Sequence, residues 1–156
     1  MTDLEKKLIR HLQSGLPLVP RPFAELASQF DLNEAEVLAK VNDFKKKGYL
    51  KRISPVLSHQ RVGYLVNALV VWRVPPESIE EVGQKLARQP AVSHCYQRKV
   101  QAHWPYNLYT MIHAQTGRGL YSVIKTMSDS VQVNDYLILV STRELKKSSM
   151  QYFFND

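Results

Sequence analysis

A chain of 156 residues can bury the core of one compact domain or of two small ones. Its 21 Lys and Arg outnumber 14 Asp and Glu, and the net charge of +7 favours an anionic partner; the excess is spread along the chain, which weakens a purely nucleic-acid reading. A single cysteine, Cys95, excludes an internal disulfide and a cysteine metal cage, and without a signal peptide or an apolar run of spanning length the expectation is a soluble cytoplasmic protein with no membrane contact.

Leu4, Leu8, Ile9 and Leu12 recur at helical spacing, and Ser14-Gly15 followed by Pro17 ends that helix. The connector from Gly15 to Pro22 leads into Phe23, Leu26, Ala27 and Phe30, again spaced i, i+3, i+4, i+7, with Pro22 at the helix start. A third helix opens on Asn33 with Glu36 three residues on, a capping-box pattern. It turns Val37, Val41 and Phe44 inward and closes at Lys45 to Gly48. Three short helices in this order resemble a helix-turn-helix. The runs Tyr49–Ile53 and Val56–His59, bridged near Ser54-Pro55, read as a two-stranded wing, which makes 1–64 a winged helix-turn-helix domain. Its third helix carries Glu34, Glu36 and Asp43 against Lys40, and only the last turn is basic. Carboxylates facing phosphate cost affinity, so DNA binding is disfavoured and Lys45 to Lys47 read as a solvated helix end.

The second domain, 65–156, ends in a basic tail. Asn67 to Val74 is an apolar strand, Pro76 to Gln89 a helix with Ile79, Val82 and Leu86 inward, and two strands follow, the second from Leu108 to Ala114. Thr116 to Ser128 makes another helix and Val133 to Ser141 a last strand. The order βαββαβ is the ferredoxin-like split arrangement, so the fold class is α+β.

The densest chemistry lies between Ala91 and His113, where His94, His103 and His113 share one hairpin-like segment with Arg98, Trp104 and Asn107. Alternation places Val92, His94, Tyr96 and Arg98 on one strand face and Ser93, Cys95 and Gln97 on the other. A ring-shaped or acidic ligand could lie across the first set. His103 to Asn107 reads as a loop broken by Pro105, Trp104 and Tyr106 as loop anchors or aromatic walls, and His113 as a packed core or interface residue. His59 and Arg61 stand at the end of the wing.

The strings LVPRPFAELA (18–27), RISPVLSHQRVGY (52–64), NALVVWRVP (67–75), HCYQR (94–98), HWPYNLYTMIHA (103–114) and STRELKKSSMQYF (141–153) resemble the siroheme decarboxylases, which are built on the Lrp/AsnC frame. The resemblance implies a carboxy-lyase that removes the acetate carboxyl groups at C12 and C18 of siroheme, giving didecarboxysiroheme and carbon dioxide on an alternative route to haem (porphyrin) biosynthesis. It also implies a heterodimer with a paralogous subunit, or a higher assembly, so that a partner chain supplies part of the pocket. No cofactor is required: the iron tetrapyrrole is the substrate, and haem is a further ligand such a pocket could hold. A poly-carboxylate macrocycle needs fixed cations, for which Arg52, Arg98 and Arg143 lead, with Arg61, Lys146 and Lys147. His59, Tyr96, Trp104, Tyr106 and Asn107 complete the expected contacts. His94 or His103 has the intrinsic pKa of a proton donor, and either could be an axial ligand of the substrate iron. The competing reading is an Lrp/AsnC-type DNA-binding regulator that senses a haem-like ligand.

Overall fold

The computed structural model describes residues 1–54 and 61–153. The chain divides into two compact units, one formed by Met1–Pro55 with Lys146–Asp156, the other by Val56–Leu145. The basic tail therefore groups with the helical unit, whereas division at residue 64 leaves it with the sheet. A local reason is visible in the side-chain amide of Gln13, which accepts from the Tyr152 backbone N–H at 2.7 Å and donates to its carbonyl at 3.3 Å.

The helical unit contains α1 (Asp3–Ser14), α2 (Pro22–Ser28) and α3 (Glu34–Lys46). Their apolar spacing closes one small core of Leu8, Leu26, Ala27, Val37, Val41 and Phe44. Thr2 and Asn33 both form capping boxes. At α3, Asn33 Oδ1 accepts from the Glu36 N–H at 2.9 Å while the Glu36 carboxylate accepts from the Asn33 N–H at 2.8 Å. Asn33→Ala is expected to cost about 1 kcal/mol, read as a lowered urea midpoint with an unchanged slope.

The first arm of the expected wing is absent. Tyr49–Ile53 forms no strand, because its opening residues are used to stop α3. Gly48 takes φ +76, and the N–H groups of Tyr49 and Leu50 turn back to the Phe44 carbonyl at 2.9 and 3.1 Å. The second arm, Val56–His59, lies outside the described residues.

In the other unit, β1 (Val66–Trp72), α4 (Ile79–Ala87), β2 (Val92–Gln97), β3 (Leu108–Ala114), α5 (Gly117–Val131) and β4 (Tyr136–Val140) follow in chain order, giving βαββαβ. A 3₁₀ turn at Pro76–Ser78 precedes α4, since Pro75-Pro76 cannot supply the N–H groups of a regular first turn. The sheet order is β2-β3-β1-β4, antiparallel throughout. Ala68, Val70 and Trp72 of β1 pack with Leu108 and Ile112 of β3 against Val82 and Leu86 of α4 and Leu120, Ile124 and Met127 of α5. Trp72 Nε1 donates to Thr110 Oγ1 at 2.9 Å, so this core holds no orphaned indole donor. Both α4 and α5 cover the same side of the sheet and leave the alternate residues of each strand on the open side.

Candidate functional site

The site begins with an irregularity in β2. Val92 pairs with Ile112, yet His94 pairs with Met111, so the ladder slips at Ser93. This is a β-bulge, one extra residue on the edge strand. Strict alternation puts Val92 on the face of His94 and Ser93 with Cys95; the structure corrects both. Val92 and Cys95 pack together against the helix-side core. Two apolar residues three apart can both reach that core only if one residue between them is left out of the count. Ser93 and His94 consequently reach the open side together.

On that side Ser93 Oγ lies 2.9 Å from His94 Nδ1, 2.7 Å from His113 Nε2 and 3.4 Å from the Met111 carbonyl. The His94 ring stacks with Tyr96, centroids 6.1 Å apart and planes inclined by 27°. Tyr96 stands opposite Tyr109. The Tyr109 hydroxyl accepts from Trp104 Nε1 at 2.7 Å and donates to the Tyr106 carbonyl at 3.2 Å. Trp104 and Tyr106 meet edge to face at 5.0 Å, and the Arg98 guanidinium lies 5.5 Å from the Tyr109 ring centre, a cation–π distance. His94, Tyr96, Arg98, Trp104 and Tyr106 therefore share one continuous surface whose hub is Tyr109.

The other residues singled out in the sequence are placed differently. His103 stands exposed at the tip of a tight turn closed by the Gln101–Trp104 bridge. Asn107 is buried, its amide nitrogen donating to the Val74 carbonyl at 2.7 Å and its oxygen accepting from the Val74 N–H at 2.9 Å. Arg61 and Arg143 are exposed in irregular segments before β1 and after β4. Arg52, Lys146 and Lys147 belong to the helical unit, where Arg52 lines a hollow with Ile9, Leu12, Phe44 and Tyr152. His59 lies outside the described residues.

Ser93, His113 and Tyr109 join the cluster without having been assigned to it. Only the apolar pair Val92 and Cys95 signalled the bulge. Burial raises the Cys95 thiol above its ordinary value, and its Sγ donates to the Gly83 carbonyl at 3.7 Å. Cys95 is thus held as the neutral thiol at neutral pH, which is the wrong state for a nucleophile. Among the described residues no group of three or more His, Cys, Asp or Glu is placed to hold a metal ion, and no helix is long and apolar enough to cross a membrane.

Comparison with known proteins gives two domain matches: an AsnC-like ligand binding domain over residues 61–146 and a siroheme decarboxylase NirDL-like HTH domain over residues 5–50. A siroheme decarboxylase beta subunit of Methanosarcina barkeri is 36% identical over 97% of this chain and 99% of its own length. The chain belongs to the siroheme decarboxylase family. A second member of that family, the siroheme decarboxylase of Hydrogenobacter thermophilus, is 42% identical over 98% of this chain, which spans 46% of that longer protein. The crystal structure of the siroheme decarboxylase NirDL in co-complex with an iron-uroporphyrin III analogue is 38% identical with a TM-score of 0.70, covering 97% of this chain and 47% of that one. The chain thus spans about half the length of some of the family relatives it matches and nearly all of others.

Proposed function

We propose that this chain is a siroheme decarboxylase subunit, a carboxy-lyase that removes the acetate carboxyl groups at C12 and C18 of siroheme in alternative haem biosynthesis. The observation that supports this most is the continuous surface of His94, Tyr96, Tyr109, Trp104, Tyr106 and Arg98. The rings of Tyr96 and Trp104 offer aromatic faces to a flat macrocycle, and Arg98 offers a cation to one of the carboxylates that must be retained. His94, exposed beside them, is the proton donor.

Loss of carbon dioxide leaves an electron pair that needs a destination, and the tetrapyrrole supplies it. A proton delivered to the pyrrole carbon next to the acetate makes the ring an electron acceptor. The bond to the carboxyl group then breaks, carbon dioxide departs, and its bonding pair forms an exocyclic methylene. A proton added to that methylene gives the methyl group as the ring carbon releases its own. Each acetate therefore consumes one proton net, and no oxidant or separate electron-sink cofactor enters.

Among the described residues of this cluster Arg98 is the one Arg or Lys, which is few for a poly-acid. The remaining cations then come from Arg61 and Arg143 or from a paralogous partner subunit; the relative named a beta subunit supports such an assembly. Anaerobic incubation with siroheme, of this chain alone and with its paralogue, tests the proposal. The expected result is product lighter by two carbon dioxide molecules in the paired reaction. Unchanged siroheme mass in both reactions overturns it.

A further inference from the structure

Taking His94 as the proton donor, we infer that Ser93 and His113 are positioning residues that hold the His94 imidazole with its proton on Nδ1, leaving Nε2 as the position that exchanges protons with the substrate. A serine hydroxyl has one proton to give and two lone pairs to receive. Around Ser93 Oγ stand three groups: His94 Nδ1 at 2.9 Å, His113 Nε2 at 2.7 Å and the Met111 carbonyl at 3.4 Å. A carbonyl can only accept. If the hydroxyl proton goes to His113 or to Met111, His94 Nδ1 must donate its N–H to the serine oxygen. Donation to His94 leaves Nδ1 bare, and His113 Nε2–H then donates to the serine oxygen across the same 2.7 Å, so the distances by themselves admit both arrangements.

The proton transfer selects between these arrangements. As an acid His94 is an imidazolium, with both ring nitrogens protonated, so Nδ1–H donates to Ser93 before the transfer. When Nε2 gives up its proton, the neutral ring that results carries its remaining proton on Nδ1. With the hydroxyl already directed to His113, the Nδ1–H bond persists and nothing in the chain needs to rotate. A hydroxyl directed at His94 would have to reverse at each turnover. The bulge is what makes this possible, since in a regular ladder Ser93 would point to the helices and His94 would lack this partner.

The test is ¹⁵N NMR of the histidine-labelled full chain near neutral pH, with His94 assigned by its loss in His94→Gln. We expect a bare, pyridine-type Nε2 in the native chain and in Ser93→Thr, which keeps the hydroxyl, and a change to the Nε2–H form in Ser93→Ala. With the paralogue present, Ser93→Ala should lose roughly tenfold in kcat at unchanged KM, with recovery in Ser93→Thr. An Nε2–H form of His94 in the native chain, or a Ser93→Ala variant with native tautomer or native kcat, overturns the inference. Full turnover in His94→Ala would instead overturn the assignment of His94 as proton donor, on which the inference rests, while leaving the siroheme decarboxylase reading standing, and the native-chain spectrum would still decide the tautomer.

Discussion

His94→Ala is expected to lower siroheme turnover by about 10²–10⁴-fold while leaving siroheme bound. In the proposed scheme binding is distributed over the neighbouring rings and Arg98, whereas the proton comes from a single imidazole. Removing that ring leaves Tyr96 stacked on nothing at one edge but keeps the ladder through Tyr96, Tyr109 and Leu108 intact. The expected signature is therefore a fall in kcat with little change in the siroheme concentration that saturates the absorbance change. His103→Ala, on the exposed turn at Gln101–Trp104, should keep most of the turnover. Native kcat in His94→Ala, with loss in His103→Ala, would move the proton donor to the turn and remove the Ser93 chain from the chemistry.

Much of the framework was legible because it rests on short-range rules. The capping box at Asn33, the proline at the start of α2, and the 3.6-residue spacing of Leu8, Val37 and Phe44 each depend on residues within one or two turns. Leu108–Ala114 reads as a strand from its alternation and forms one, with Leu108, Thr110, Ile112 and Ala114 buried in turn. The wing arm failed for a similarly local reason: Tyr49 and Leu50 look apolar and β-forming, yet their N–H groups cap α3. The open-face chemistry was harder. A period of two cannot register an inserted residue, so the bulge at Ser93 swapped the faces of Val92 and Ser93 and hid the link between two histidines twenty residues apart. Tyr109 likewise looks like an ordinary strand aromatic until Trp104, Tyr106 and Arg98 are seen to converge on it.

Asn107→Ala is expected to cost about 2–6 kcal/mol of folding stability, taking about 1–3 kcal/mol for each buried polar group left without a partner. Asparagine here stands in for a strand residue. Its amide pairs with both the N–H and the carbonyl of Val74, while its own backbone N–H donates to the Trp72 carbonyl at 3.0 Å and its carbonyl accepts from Arg98 at 2.8 Å. One residue thereby ties the end of β1, the start of β3 and the hairpin base under Arg98. Nothing in a linear pattern announces this, because Val74 lies 33 residues earlier. Against a typical domain stability of about 5–15 kcal/mol the loss is large, and it should appear as a lowered melting temperature and urea midpoint. Asn107→Asp should lose stability too, because a carboxylate accepts from the Val74 N–H but cannot donate to its carbonyl. The folded fraction of either variant should saturate with siroheme at the native concentration, since the side chain is spent on the backbone. Native stability with a raised KM would instead make Asn107 a contact for the macrocycle, and the clamp at Val74 would then contribute little to holding the sheet.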